Sequence, residues 1–122
     1  MSEDFEERAA ILEFDAKMPR EWAEALARID TAPVPAGYTA DRWAVVVDDA
    51  GRLLGRWLGR IRANDWTPAD IRGLLPLLAG REVGAVGAGD VTVIGGDGLR
   101  VKLYRRPVLN GPSCWQEGRR AA

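Results

Sequence analysis

The stretch "WAVVVDDAGRLLGRWLGRIR" (Trp43–Arg62) can be read in two ways, and the choice decides the fold. As a hairpin, "WAVVV" and "RLLG" are strands and Asp48–Gly51 is the bend between them. As a helix, Trp43, Val46, Val47, Ala50, Leu54, Trp57, Leu58 and Ile61 follow the i, i+3, i+4, i+7 rule over about five turns. The hairpin accounts for only a few residues on each arm, whereas the helix accounts for the whole apolar set. The spacing therefore predicts an amphipathic helix across Ala40–Asn64, with an irregularity expected at Gly51.

That helix sorts its remaining residues by angle. Arg52, Arg56 and Arg60 fall opposite the apolar face, and Gly51, Gly55 and Gly59 form a bare strip beside it. Asp48 precedes Arg52 by one helical turn, the favourable order for an ion pair. A glycine inside a helix costs roughly 1 kcal/mol relative to alanine. Three of them at fourfold spacing predict a smooth face against which another helix or strand packs closely. Asp48 and Asp49 are expected to be solvated surface acids, because adjacent helical residues diverge by about 100° and do not converge on a metal.

Upstream, "EDFEERAAILEF" predicts a helix from Ser2, its N-cap, to Phe14, with Phe5, Ala9, Ile11 and Leu12 on the apolar side. Its acids crowd the positive end of the helix dipole. Pro19 is expected at the first position of a second helix, "PREWAEALARI", with Trp22, Ala25, Leu26 and Ile29 on one face. The two make an acidic helical hairpin over residues 1–30. "TAPVPAGYT" over 31–39 then reads as a linker, because its prolines and glycine cannot continue a helix.

Downstream, Thr67 caps a short helix that opens with Pro68 and has Asp70 in its first turn. Trp66 is expected to staple onto Ile71 or a near neighbour. Leu74–Ala79 is an apolar element ending at Gly80. Valine alternation and glycine-aspartate turns then predict three strands, Glu82–Val86, Val91–Ile94 and Leu99–Arg105. In the last, Leu99, Val101 and Leu103 are expected on the core side, and Arg100, Lys102 and Tyr104 on the other. Residues 107–122 read as a loose surface tail. The class is α+β: an N-terminal helical hairpin, a long amphipathic helix plus a short one, and a C-terminal three-stranded antiparallel sheet. Residues 40–106 are its α+β core.

Composition narrows the chemistry. The chain has 122 residues, a net charge of −1, no histidine and one cysteine, Cys114. Without histidine, the commonest general base and zinc ligand are missing. One cysteine supports neither an internal disulfide nor a thiolate metal site. "GAVGAG" leads into a strand rather than a helix, so it is no dinucleotide fingerprint, and no Gly-Lys-Ser/Thr P-loop is present. The expectation is a non-enzyme with no catalytic, cofactor or metal residues. No apolar run reaches the ~20 residues of a membrane span, and the acidic N-terminus lacks a signal's apolar region. A cytoplasmic protein is expected.

Charge is unevenly spread. Residues 1–50 carry 12 acids and 5 bases, and residues 51–122 carry 6 acids and 12 bases. The two halves either neutralise each other or leave faces of opposite sign for a charged partner. The candidate interaction surface comprises Arg52, Arg56, Arg60 and Arg62 on the helix, and Arg100, Lys102, Tyr104, Arg105 and Arg106 on the sheet. A basic strand with an aromatic suits phosphate contact and base stacking. Against this, dedicated nucleic-acid binders carry a strongly basic footprint, and this chain has a pI near 5.5.

"EERAAILEFDAKMPREWAEALA", "NDWTPADIRGLL", "LLAGREVGAV" and "LYRRP" together resemble segments of small uncharacterised accessory proteins of proteobacterial phages and mobile elements. Those proteins often have a glycine-rich turn where this chain has Ala16, Lys17 and Met18. The resemblance implies a setting and no activity: a protein that binds a host or element protein, including host defence machinery. The expected function is a non-catalytic protein-binding module of this kind, such as an inhibitor. The alternative is a nucleic-acid-binding accessory protein using the basic helix and sheet faces.

Overall fold

In the computed structural model, which describes residues 3–120, the disputed stretch is one unbroken helix. It is α3, Ala40–Ala63, the third of five helices. Thr39 caps it by accepting the Arg42 amide at 3.1 Å. Asp41 in the first turn and Arg60 and Arg62 in the last complement the dipole. The helix continues through Gly51 without the expected irregularity. Val46, Ala50, Leu53, Leu54 and Ile61 are buried along it.

Ahead of α3 lie α1, Glu3–Phe14, and α2, Arg20–Thr31. The Ser2 cap falls outside the described residues. Phe5, Ala9 and Leu12 are buried on α1, while Ile11 is exposed. Pro19 is the N-cap of α2 rather than its first residue, and its carbonyl accepts the Trp22 and Ala23 amides. Helix α1 packs on α2, and α2 bridges to α3 and to α4, Pro68–Arg72. The hairpin thus shares one buried cluster with the rest of the chain, running from Phe5 and Trp22 through Leu53 to Leu103. Burying each large side chain of that cluster stabilises the fold by roughly 1.5–3 kcal/mol. The segment read as a linker is shorter than expected, since Thr31 ends α2 and Thr39 caps α3. Tyr38 within it stacks edge-on against Trp43, with ring centres 5.3 Å apart.

Helix α4 starts with a full capping box. The Asp70 amide donates to the Thr67 hydroxyl, and the Thr67 amide donates to Asp70 Oδ2 at 2.9 Å. Helix α5, Leu75–Leu78, follows and stops at Ala79 and Gly80, which both take positive φ. The Arg81 guanidinium donates back to the Leu77 and Leu78 carbonyls, closing the end of α5 with a cation.

The sheet has four strands where three were expected. They are β1 Glu82–Val86, β2 Asp90–Ile94, β3 Arg100–Val108 and β4 Gly111–Arg120, antiparallel in the order β1-β2-β3-β4. Residues read as a loose tail form β4. A two-residue turn, Leu109–Asn110, joins β3 to it, with Asn110 in the left-handed region at φ 63°. Pro107 sits at a register shift between Arg106 and Val108, where a missing amide costs no ladder bond. A second shift at Gly84 lets Val83 and Val86 both face the helices. With Val91, Val93 and Leu103 they form the buried side of the sheet. Leu99 lies in the β2–β3 turn and is exposed rather than on the core side. Helix α3 borders β1, and α4 borders β4.

Candidate interaction surfaces

The candidate residues divide by the carboxylates within their reach. Arg52 pairs with Asp48 at 3.1 Å, as its spacing predicts, and with Asp49 at 2.9 Å. Asp49 is not the solvated acid expected. It is 3% exposed, and its second oxygen accepts the Gly80 amide at 2.8 Å. A buried carboxylate needs such partners. Asp49 thereby ties α3 to the left-handed turn after α5, and Arg52 completes that tie. Arg56 lies over the Trp57 ring and reaches Glu82 of β1 at 3.8 Å. Arg60 and Arg62 are exposed and make no ion pair among the described residues.

The glycine strip corrects a sequence expectation. A Cβ built on Gly51, Gly55 or Gly59 would meet nothing within 4 Å, so no element of this fold packs closely there. What lies beside Gly55 is open space, a cavity of about 400 Å³ between α3, the end of α5 and β1. Leu53, Trp57, Leu78 and Val83 supply its apolar lining, and Arg52, Arg56 and Arg81 its cations. Among the described residues strand β1 is an edge strand paired with β2, and its Glu82 and Val83 line this cavity.

On the sheet, the alternation holds for Arg100, Lys102, Tyr104 and Arg106, which share the face turned away from the helices. Tyr104 is 43% exposed, and Lys102 approaches Asp90 at 3.8 Å. Gly118 lies directly under the Tyr104 ring, where any Cβ would collide with it. Arg105 does not belong to that face. It points to the helix side, donates to the Ser113 hydroxyl at 2.8 Å, approaches Asp70 at 3.7 Å and lies over the Trp66 ring. Trp66 in turn packs edge-on against Trp115 at 5.1 Å and donates its indole N–H to the Ala88 carbonyl. These partners of Trp66 lie on the sheet side.

Asp70 joins these pieces. Besides capping α4, it accepts the Ser113 amide at 3.1 Å, and its own carbonyl accepts the Trp115 indole N–H at 2.7 Å. Burial acts to raise the pKa of its carboxyl. The hydrogen bonds from Thr67 and Ser113 outweigh that and hold it at about 2, below the usual 3.8. A perturbed carboxyl at a cleft can signal chemistry. Here Oδ1 and the backbone carbonyl hold β4 against α4, and Oδ2 caps α4 through Thr67.

Ion pairs within the acidic hairpin are internal, with Arg8 to Asp30 and Arg20 to Glu6, Glu13 and Glu24. Among the described residues none joins the hairpin to the basic half. The two halves are joined instead at their boundary, where Arg52 pairs with Asp48 and Asp49. Also among the described residues, no group of three or more acids and cysteines is placed to hold a metal ion, and no helix is long and apolar enough to cross a membrane. No family model, curated protein or solved structure matches the chain.

Proposed function

We propose that this chain is a non-catalytic protein-binding accessory module that docks a partner on the outer face of α3. The observation that carries the reading is the openness of the glycine strip. Gly51, Gly55 and Gly59 each forgo helix stability of roughly 1 kcal/mol, yet nothing inside the fold lies within 4 Å of the missing methyl. A bare helical face beside a cavity of mixed apolar and charged lining suits the approach of another backbone. Arg56, Arg60 and Arg62 flank it and give the encounter its charge preference. The resemblance noted in the sequence extends the proposal to a setting: a mobile-element protein acting on a host protein, with inhibition of a defence protein as the specific form.

The test is affinity capture from a host lysate with three baits. Gly55→Leu adds a side chain at the cavity wall, where its Cβ meets nothing within 4 Å. Arg56→Ala/Arg60→Ala/Arg62→Ala removes the flanking charges but spares Arg52, which serves the Asp49 tie. The unaltered chain should retain a partner that both variants lose without any fall in melting temperature. Equal capture by all three would refute docking on α3.

A second reading has its own observation. Arg100, Lys102, Tyr104 and Arg106 combine three cations and an exposed ring on one sheet face, which suits single-stranded nucleic acid. Binding of that kind weakens with salt, with a logarithmic slope of about 0.7 per phosphate contact. Anisotropy of a labelled oligonucleotide against Tyr104→Ala at two salt concentrations distinguishes it from the first.

A further inference from the structure

A second cavity, of about 280 Å³, lies between α2, the start of α3 and α4, away from the glycine strip. Trp22, Leu54 and Ile71 form its buried floor, and Trp43 is a half-buried wall. Its charged lining residues are Arg28 and Arg72, and no carboxylate lines it. Both arginines are exposed while the floor is buried, so the cations stand at the mouth.

The arginines are also available. Arg8, Arg20, Arg52, Arg56, Arg81 and Arg105 all make ion pairs. Arg28 and Arg72 make none among the described residues. The contact Arg28 does make is with the Phe5 ring, 5.5 Å away, which leaves the guanidinium's in-plane donors open. An apolar chamber with a few convergent polar groups is the usual form of a small-molecule site. The chemistry of this one fixes the ligand's two ends. The tryptophan-lined interior takes a hydrocarbon, and two unpaired guanidiniums in one mouth take an anion by charge-assisted hydrogen bonds.

We propose that this cavity binds a small amphiphilic carboxylate, with its alkyl chain between Trp22 and Trp43 and its carboxylate at Arg28 and Arg72. The site is separate from the α3 face, so it stands or falls independently of the proposed docking function. Burial of the chain supplies the driving force, and the cations select the ionised acid over its neutral or cationic counterparts.

The experiment is a tryptophan-fluorescence titration of the whole chain with octanoate, octanol and octylammonium. Trp43→Phe identifies the responding ring. Octanoate should give a saturable change, carried by Trp43, at concentrations at least tenfold below those needed for octanol, with octylammonium weaker still. In Arg28→Gln/Arg72→Gln the octanoate affinity should fall to that of octanol, while the response to octanol is unchanged. Ala25→Phe, which fills the chamber from α2, should abolish both responses, and its melting curve shows whether it remains folded. If it does not fold, the arginine variant alone decides. Equal binding of octanoate and octanol, undiminished octanoate binding in the arginine variant, or no saturable response to octanoate would each overturn the proposal.

Discussion

Replacing Gly55 or Gly59 with alanine should make the fold more stable. Both glycines are exposed in the interior of α3, and the added methyl meets nothing within 4 Å. The substitution therefore carries the helix-propensity gain alone, up to about 1 kcal/mol each. Gly51, half-buried but equally uncrowded, should behave the same way. The positions are one turn apart and share no partner, so the triple variant should gain roughly 2–3 kcal/mol. For a chain of this length each kcal/mol moves Tm by about 3–5 °C. Gly80→Ala is the control of opposite sign. Gly80 has φ +78°, so a Cβ there strains the backbone and should cost about 1 kcal/mol. Thermal and urea melts of the five variants measure both. Destabilisation by Gly55→Ala would mean that this face is packed against something in the free protein, and the bare-face argument for docking would fail.

Stability should fall in acid because of Asp70. Its folded pKa of about 2 lies below the ordinary 3.8, so its contribution is complete above about pH 4 and is lost as pH falls through about 2. The shift corresponds to roughly 2 kcal/mol, and Asp70→Asn should remove that part of the pH dependence in urea melts across pH 2–5. Asp49→Ala should cost about 1–3 kcal/mol by stranding the Gly80 amide, whose hydrogen exchange should accelerate more than that of α3. A protease nick within residues 32–39 should leave both fragments co-eluting in native gel filtration, since α1 and α2 share the common core. Separation of the fragments would show that they do not.

The long helix was legible because its apolar spacing runs uninterrupted through Asp48–Gly51, where a hairpin would need it to break. Capping chemistry made α4 equally plain, since Thr67, Pro68 and Asp70 each fill the position their side chains favour. β4 was hidden for a physical reason. Its stability is non-local: Ser113 bonds to Asp70 and Trp115 packs on Trp66, both more than 40 residues away in the chain. Two prolines and two glycines in residues 107–122 act as breakers in the sequence, although Asn110-Gly111 is a strong turn signal on its own. The role of Asp49 was present in the pattern and missed. It follows Val46 by three residues and precedes Leu53 by four, which puts a carboxylate in the middle of the apolar stripe.

The same distinction sorts the arginines, and here sequence could not suffice. Arg52 and Arg105 are held by Asp49 and Asp70, carboxylates that the fold buries and must neutralise. Removing either arginine leaves a buried charge less well paired, so both are structural first. Arg60, Arg62, Arg100 and Arg106 have no such obligation among the described residues. Arg52 and Arg60 both follow a glycine on the same helical face, and the local sequence marks Arg52 by Asp48 and Asp49 one turn before it without showing that Asp49 is buried. The difference lies in the turn at Ala79–Gly80, which buries Asp49 and so draws in Arg52. An interaction surface on this protein should therefore be sought among the arginines that no buried carboxylate claims. On α3 these run from Arg56, held only by a long surface contact to Glu82, to Arg62. That is the half of the helix where Gly55 and Gly59 leave the backbone bare, so the unclaimed charge and the open surface coincide.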